Sequence, residues 1–69
     1  MNRTPVSSTN LRSVGYDPQN SVLEIEFKSG TYQYSGVPAT EYAALMAAAS
    51  HGSYFNAHIK DAYPTHRIS

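Results

Sequence analysis

Phe27-Lys28-Ser29-Gly30-Thr31-Tyr32-Gln33-Tyr34-Ser35-Gly36-Val37-Pro38 is the stretch whose reading decides the fold. It holds the end of one strand, a tight turn, a second strand with alternating tyrosines, and the launch of a helix. Just upstream the alternation is clean: Leu23, Ile25 and Phe27 point one way, Val22, Glu24 and Glu26 the other. With Ser29-Gly30 as a two-residue loop, Lys28 opposes Thr31, Phe27 opposes Tyr32, Glu26 opposes Gln33 and Ile25 opposes Tyr34. Every apolar residue of both strands then shares one face. A four-residue loop gives the same parity. A three-residue loop turns both tyrosines toward the glutamates, because the side-chain period of a strand is two. An even loop is therefore expected, with Tyr32 and Tyr34 packed beside Phe27 and Ile25.

On the N-terminal side, Asp17-Pro18-Gln19-Asn20 is a type I turn signal: an acceptor at the first position and a proline presetting φ at the second. It is preceded by a first strand at about Asn10 to Tyr16, which Gly15 interrupts as a bulge or a close backbone approach. On the C-terminal side, Gly36-Val37-Pro38 ends the sheet. Pro38 suits the first helical position, and Glu41 faces the positive end of the helix dipole. Tyr42, Leu45, Met46 and Ala49 recur at helical spacing as the buried stripe, and His51-Gly52 stops that helix. Ser50 or Ser53 caps a second helix with Phe55, Ile59 and Ala62 on one face, and Pro64 forbids continuation much past Tyr63. The prediction is an α+β fold: a three-stranded antiparallel β-meander followed by two α-helices packed on one face. Residues 1–8 are expected as a flexible N-terminal arm, 9–63 as a single domain and 64–69 as a C-terminal tail.

A chain of 69 residues holds one small core, with a stability of roughly 3–5 kcal/mol. The absence of cysteine excludes disulfides and thiolate zinc sites, and fits a reducing compartment. Acidic and basic residues balance at five each, so no global field draws the chain to nucleic acid or to a membrane surface. The last third, with His51, His58, Lys60, His66 and Arg67 against Asp61, is mildly basic. It becomes more so when its histidines protonate, below about pH 6.5. No apolar run approaches the roughly 20 residues of a membrane span. The first residues lack the apolar segment of a secretory signal, so a cytoplasmic location is expected, as a monomer or a weak dimer.

Enzymatic chemistry finds no support in the inventory. No nucleophile sits in a recognisable motif with a base, and the scattered glycines form no phosphate-cradling loop. Glu24 and Glu26 share a strand face and imitate a carboxylate pair, but on the wet side of a short sheet they serve solubility. His51 and His58 are seven apart, about 10 Å along one helix, too far for a single ion. No catalytic residue, cofactor or metal is expected. The six tyrosines are the better clue, since tyrosine supplies rigid contact area with a polar tip. Alternating aromatics near cations can also stack single-stranded bases.

Val14-Gly15-Tyr16-Asp17, Leu23-Glu24-Ile25-Glu26-Phe27, the pair Tyr32 and Tyr34, Val37-Pro38, and Ser53-Tyr54-Phe55-Asn56 with His58-Ile59 together resemble the KTSC domain. That family is a short bacterial module named for its occurrence at the C-terminus of some lysyl-tRNA synthetases, and it is also found as stand-alone proteins. The likeness spans about Ser8 to Tyr63. The resemblance implies a non-enzymatic module of unestablished function, with RNA binding as the activity that the synthetase association points to. A net charge of zero differs from the clear basic patch usual in such modules, so the binding implied is weak and salt-sensitive. The alternative is a protein-interaction module docking on a larger, nucleic-acid-processing partner through its tyrosine-rich surface. The candidate contacts for RNA or a protein partner are Arg12, Lys28, Tyr32, Tyr34, Tyr54, Asn56, His58, Lys60, Tyr63 and Arg67.

Overall fold

A computed structural model of the chain describes residues 1–69. The elements run β1 (Arg3–Pro5), β2 (Leu11–Asp17), β3 (Val22–Phe27), β4 (Gly30–Ser35), α1 (Ala39–Ala47), α2 (His51–His58) and β5 (Thr65–Arg67). All five strands join one antiparallel sheet in the order β1-β2-β3-β4-β5. The class is α+β as expected, but the three-stranded meander is corrected to five strands. The residues expected as a loose arm and a tail supply the two edges: Arg3, Thr4 and Pro5 pair with Gly15, Val14 and Ser13, and Arg67, His66 and Thr65 with Tyr32, Gln33 and Tyr34. Both edge strands are three residues long and exposed throughout, too short to carry a readable period. Proline at β1 is tolerated because an edge strand has a side that needs no donor.

The central hairpin has an even loop, displaced by one residue from the expected one. Lys28-Ser29 turns the chain, so Phe27 faces Gly30, Ile25 faces Tyr32 and Leu23 faces Tyr34. Pairing shifts by two and parity is kept, so Leu23, Ile25, Phe27, Tyr32 and Tyr34 still share the helix-covered face. Gly30 is needed for a long-range reason. At φ +155° it lies under the chain end, where a Cβ would come 2.6 Å from the Ser69 backbone oxygen and 2.9 Å from Arg67 Nε.

In β2 the register slips between Leu11 and Ser13, so the bulge falls at Arg12. Gly15 is the close approach: a Cβ there would lie 2.8 Å from Arg3 Cγ and 2.9 Å from the Asn2 carbonyl oxygen. Across this gap Arg3 lays its guanidinium on the second sheet face, reaching Thr31 Oγ1 at 3.3 Å and Glu24 at 3.5 Å. Gln33 also donates to Glu24 (2.9 Å), and the Ser13 hydroxyl to Glu26 (3.0 Å). That face is therefore less wet than alternation alone implies, and Ser13 and Thr31 are buried in it.

The core on the other face consists of Leu11, Val14, Leu23, Ile25, Tyr34, Val37, Leu45, Phe55 and Ile59. Pro38 serves as the N-cap of α1, one position before the expected one. Tyr16 ties α1 to the sheet by stacking on Tyr42 at 4.9 Å and donating its hydroxyl to the Val37 carbonyl oxygen. α1 ends at Ala47, ahead of the expected stop, and Ala48 is extended. Ala49 is thus exposed and outside the stripe. His51 does not end α1 but begins α2, with its Nδ1 2.8 Å from the Leu45 carbonyl oxygen. Ser50 caps α2, its Oγ accepting from the Ser53 N–H at 3.2 Å. Phe55 and Ile59 are buried beneath it, whereas Ala62 is exposed.

Candidate functional site

The fold separates the candidate contact residues into three groups. Tyr34 is 4% exposed, so it is core and offers no surface to a partner. Burial pushes its hydroxyl up to about 12. Its ring meets Phe55 edge-on at 5.5 Å, Phe55 meets Phe27 at 5.2 Å, and Phe27 meets Tyr32 at 5.7 Å. Tyr32 is half-buried, with the Arg67 guanidinium 5.8 Å above its ring. The alternating pair is therefore a packing ladder and not an open stacking platform.

Tyr54 and Tyr63 form the second group, and their partner is a residue that sequence reading did not select. Both phenols donate to the Glu41 carboxylate, Tyr54 to Oε1 and Tyr63 to Oε2, the latter at 2.9 Å. These two hydrogen bonds, Tyr54's foremost, hold the Glu41 carboxyl below the usual range, and the carboxylate raises both phenols in turn. His58 lies against the Tyr54 ring at 4.4 Å. The cluster clasps α1, α2 and the segment leading to β5. Nothing in the spacing of Glu41, Tyr54 and Tyr63 announces it, since 13 and 22 residues separate the partners.

The third group lies at one end of the sheet, where β2 begins, β3 turns into β4 and β5 finishes. Register alone puts Arg12, Lys28 and Arg67 there. Arg67 donates to the Ser29 carbonyl oxygen and to the Ser69 oxygen, both at 2.9 Å. Lys60 is exposed in the turn after α2, its N–H bonded to the Phe55 carbonyl oxygen. Beside the Lys28-Ser29 turn opens a pocket of about 290 Å³ with Leu11, Phe27 and Phe55 as its apolar lining and Asn10, Asn56 and Lys28 as its polar lining. A second, polar groove of about 460 Å³ runs on toward the start of α2 between Ser7, Ser8 and Thr9 on one side and Ser50, His51 and Ser53 on the other. Asn10, Gly52 and Asn56 line both, so the two form one cleft along α2. Asn10 and the serine-threonine run were not singled out from sequence, where they read as loop.

No three His, Asp or Glu side chains come close enough to hold a metal ion, and no helix is long and apolar enough to cross a membrane.

The KTSC domain family model matches residues 7–63. An uncharacterized protein of Stutzerimonas stutzeri is 47% identical over 57 residues, covering 81% of this chain and 80% of its own. A protein of Tsukamurella paurometabola is 39% identical over 57 residues, covering 81% and 85%. The crystal structure of a KTSC domain protein from Yersinia pestis superposes with a TM-score of 0.97 at 45% identity, covering 99% of this chain and 97% of the other. The match takes in β2, β3, β4 and both helices, well over half of the chain, and on that ground the chain belongs to the KTSC domain family.

Proposed function

We propose that this KTSC domain is a binding module, not an enzyme, and that it takes single-stranded RNA weakly at the end of the sheet bearing Arg12, Lys28 and Arg67. The observation that carries the reading is charge segregation in a chain of zero net charge. Three of its five basic residues meet at one end, beside a pocket with an apolar floor and a polar wall. The five side-chain carboxylates are outside the pocket lining: Glu24 and Glu26 are hydrogen-bonded on the other face of the sheet, Glu41 is held in the tyrosine clasp, Asp17 is at the opposite turn, and Asp61 follows Lys60 in the turn after α2. Phosphate contacts supply most of the affinity of such a surface. A chain without cysteine suits the reducing, cytoplasmic setting in which this activity would serve.

The test is fluorescence anisotropy of a labelled single-stranded RNA across a salt series. Binding should tighten as salt falls, and Lys28→Ala or Arg67→Ala should each lower the slope of log K against log salt by about 0.7, the loss of one phosphate contact. Absence of binding at low salt refutes the reading. The second reading, docking of a protein partner, draws on the apolar floor of Leu11, Phe27 and Phe55. It predicts association that responds little to salt, with Lys28→Ala nearly silent.

A further inference from the structure

The cleft along α2 contains more than a phosphate-attracting surface requires. Its lining includes a lysine and a histidine but no carboxylate in either half. Asn10 and Asn56 stand where the apolar pocket meets the hydroxyl-lined groove, exposed, with neither carboxamide hydrogen-bonded within the chain. Gly52 lines the cleft beside both. A Cβ there would have Asn10 Nδ2 at 3.9 Å, and Asn56 is four residues further along the same helix. Residues four apart share a helix face, so the two amides are neighbours at the edge of the pocket. An apolar occupant would displace water from these exposed amides and return no hydrogen bond, which is unfavourable. An unstacked nucleobase divides the same way as the pocket, with apolar faces and an edge of donors and acceptors.

Resting on the RNA reading above, we infer that this pocket takes one unstacked base of the bound strand. Phe27, half-buried, covers one face above a floor of buried Leu11 and Phe55, and Asn10 and Asn56 hydrogen-bond its edge. Lys28, at the turn beside the pocket, meets the adjoining phosphate. The module then has a base preference, a property that backbone attraction by Arg12, Lys28 and Arg67 does not confer.

Anisotropy with four labelled homopolymeric RNAs of equal length, at one low salt concentration, tests this. A well-made amide–base contact discriminates by about 5- to 150-fold, so the tightest of the four should exceed the weakest by at least about 5-fold. Asn56→Ala should bring the preferred RNA down to the level of the others, and Asn10→Ala should do the same in part. Lys28→Ala should weaken all four by a common factor. Asn56 is exposed on α2, and alanine is the better helix former, so the variant should stay folded, which a thermal melt verifies. Four equal affinities, or a ranking that survives both asparagine variants, overturns the base-reading inference while leaving RNA binding standing. No binding to any of the four overturns both.

Discussion

Replacing Tyr34 by alanine should unfold this domain, whereas replacing it by phenylalanine should leave it nearly unchanged. The ring is 4% exposed, sits opposite Leu23 on the covered face, and meets Phe55 edge-on at 5.5 Å and 75°. Truncating such an aromatic costs about 3–5 kcal/mol through lost burial and the cavity left behind. That is comparable to the roughly 3–5 kcal/mol that a single small core supplies, so most Tyr34→Ala molecules should be unfolded at room temperature. The hydroxyl makes no hydrogen bond within the chain, so Tyr34→Phe should fall within about 1 kcal/mol of the parent. High pH separates the two further. Burial, and secondarily the neighbouring Tyr32, raises the Tyr34 hydroxyl from 10.0 to about 12. A group whose folded value is raised contributes stability that is complete below its unfolded value and lost as pH climbs through the folded one. The parent should therefore lose stability between about pH 10 and 12, and Tyr34→Phe should lose less. Circular-dichroism melts of the three proteins at neutral and alkaline pH provide the measurement. A cooperative Tyr34→Ala transition at the parent's temperature would refute the packed ladder and return Tyr34 to the list of contact residues.

Gly15→Ala should push Arg3 and the Asn2 backbone off the sheet, because its Cβ would lie 2.8 and 2.9 Å from them. The expected cost is about 1–3 kcal/mol, with amide protection lost in β1 but kept in β2 to β4 by hydrogen exchange. Glu41→Gln removes a carboxyl held low by Tyr54 and Tyr63. The stability that this carboxyl contributes is present above its unfolded value and lost as pH falls through the lower folded one. The variant's melting temperature should accordingly decline less toward acid pH, and Tyr54 and Tyr63 should titrate earlier by ultraviolet absorbance. Ser50→Ala deletes the α2 cap and should cost about 1 kcal/mol, or about 4–8 °C in melting temperature for a domain of this size.

The central sheet was legible because its information is local. Leu23, Ile25 and Phe27 alternate with Glu24 and Glu26, and any even loop puts Tyr32 and Tyr34 on the same face. The burial of Tyr34 followed from parity alone, even though the loop proved to be Lys28-Ser29. Asp17-Pro18 and a serine cap for α2, at Ser50 or Ser53, were equally readable, since a turn or cap is made by side chains within a few residues of one another. Strands β1 and β5 were not legible. Three exposed residues show no period, and each pairs only because the chain returns to an open edge of the sheet. The end of α1 at Ala47 also escaped, because alanine propensity runs through Ala48 and Ala49, while in the fold Ala48 is extended and the Leu45 carbonyl oxygen is met by the Ala48 N–H and the His51 ring.

Of the candidate site, sequence alone supplied residue types but not their company. Arg12, Lys28 and Arg67 are 16 and 39 residues apart in the chain, and antiparallel pairing brings them to one end of the sheet. Asn10 becomes a wall of the cleft because the loop after β1 folds against Gly52. Tyr54 and Tyr63, chosen as candidate RNA or partner contacts, are engaged by Glu41 of α1. The sequence by itself determined the strand faces and placed the turns and caps to within a residue or a few, because each depends on neighbours along the chain. The tertiary structure decided which polar groups remain unpartnered at the surface, because that depends on which distant side chains the folded chain brings within hydrogen-bonding reach.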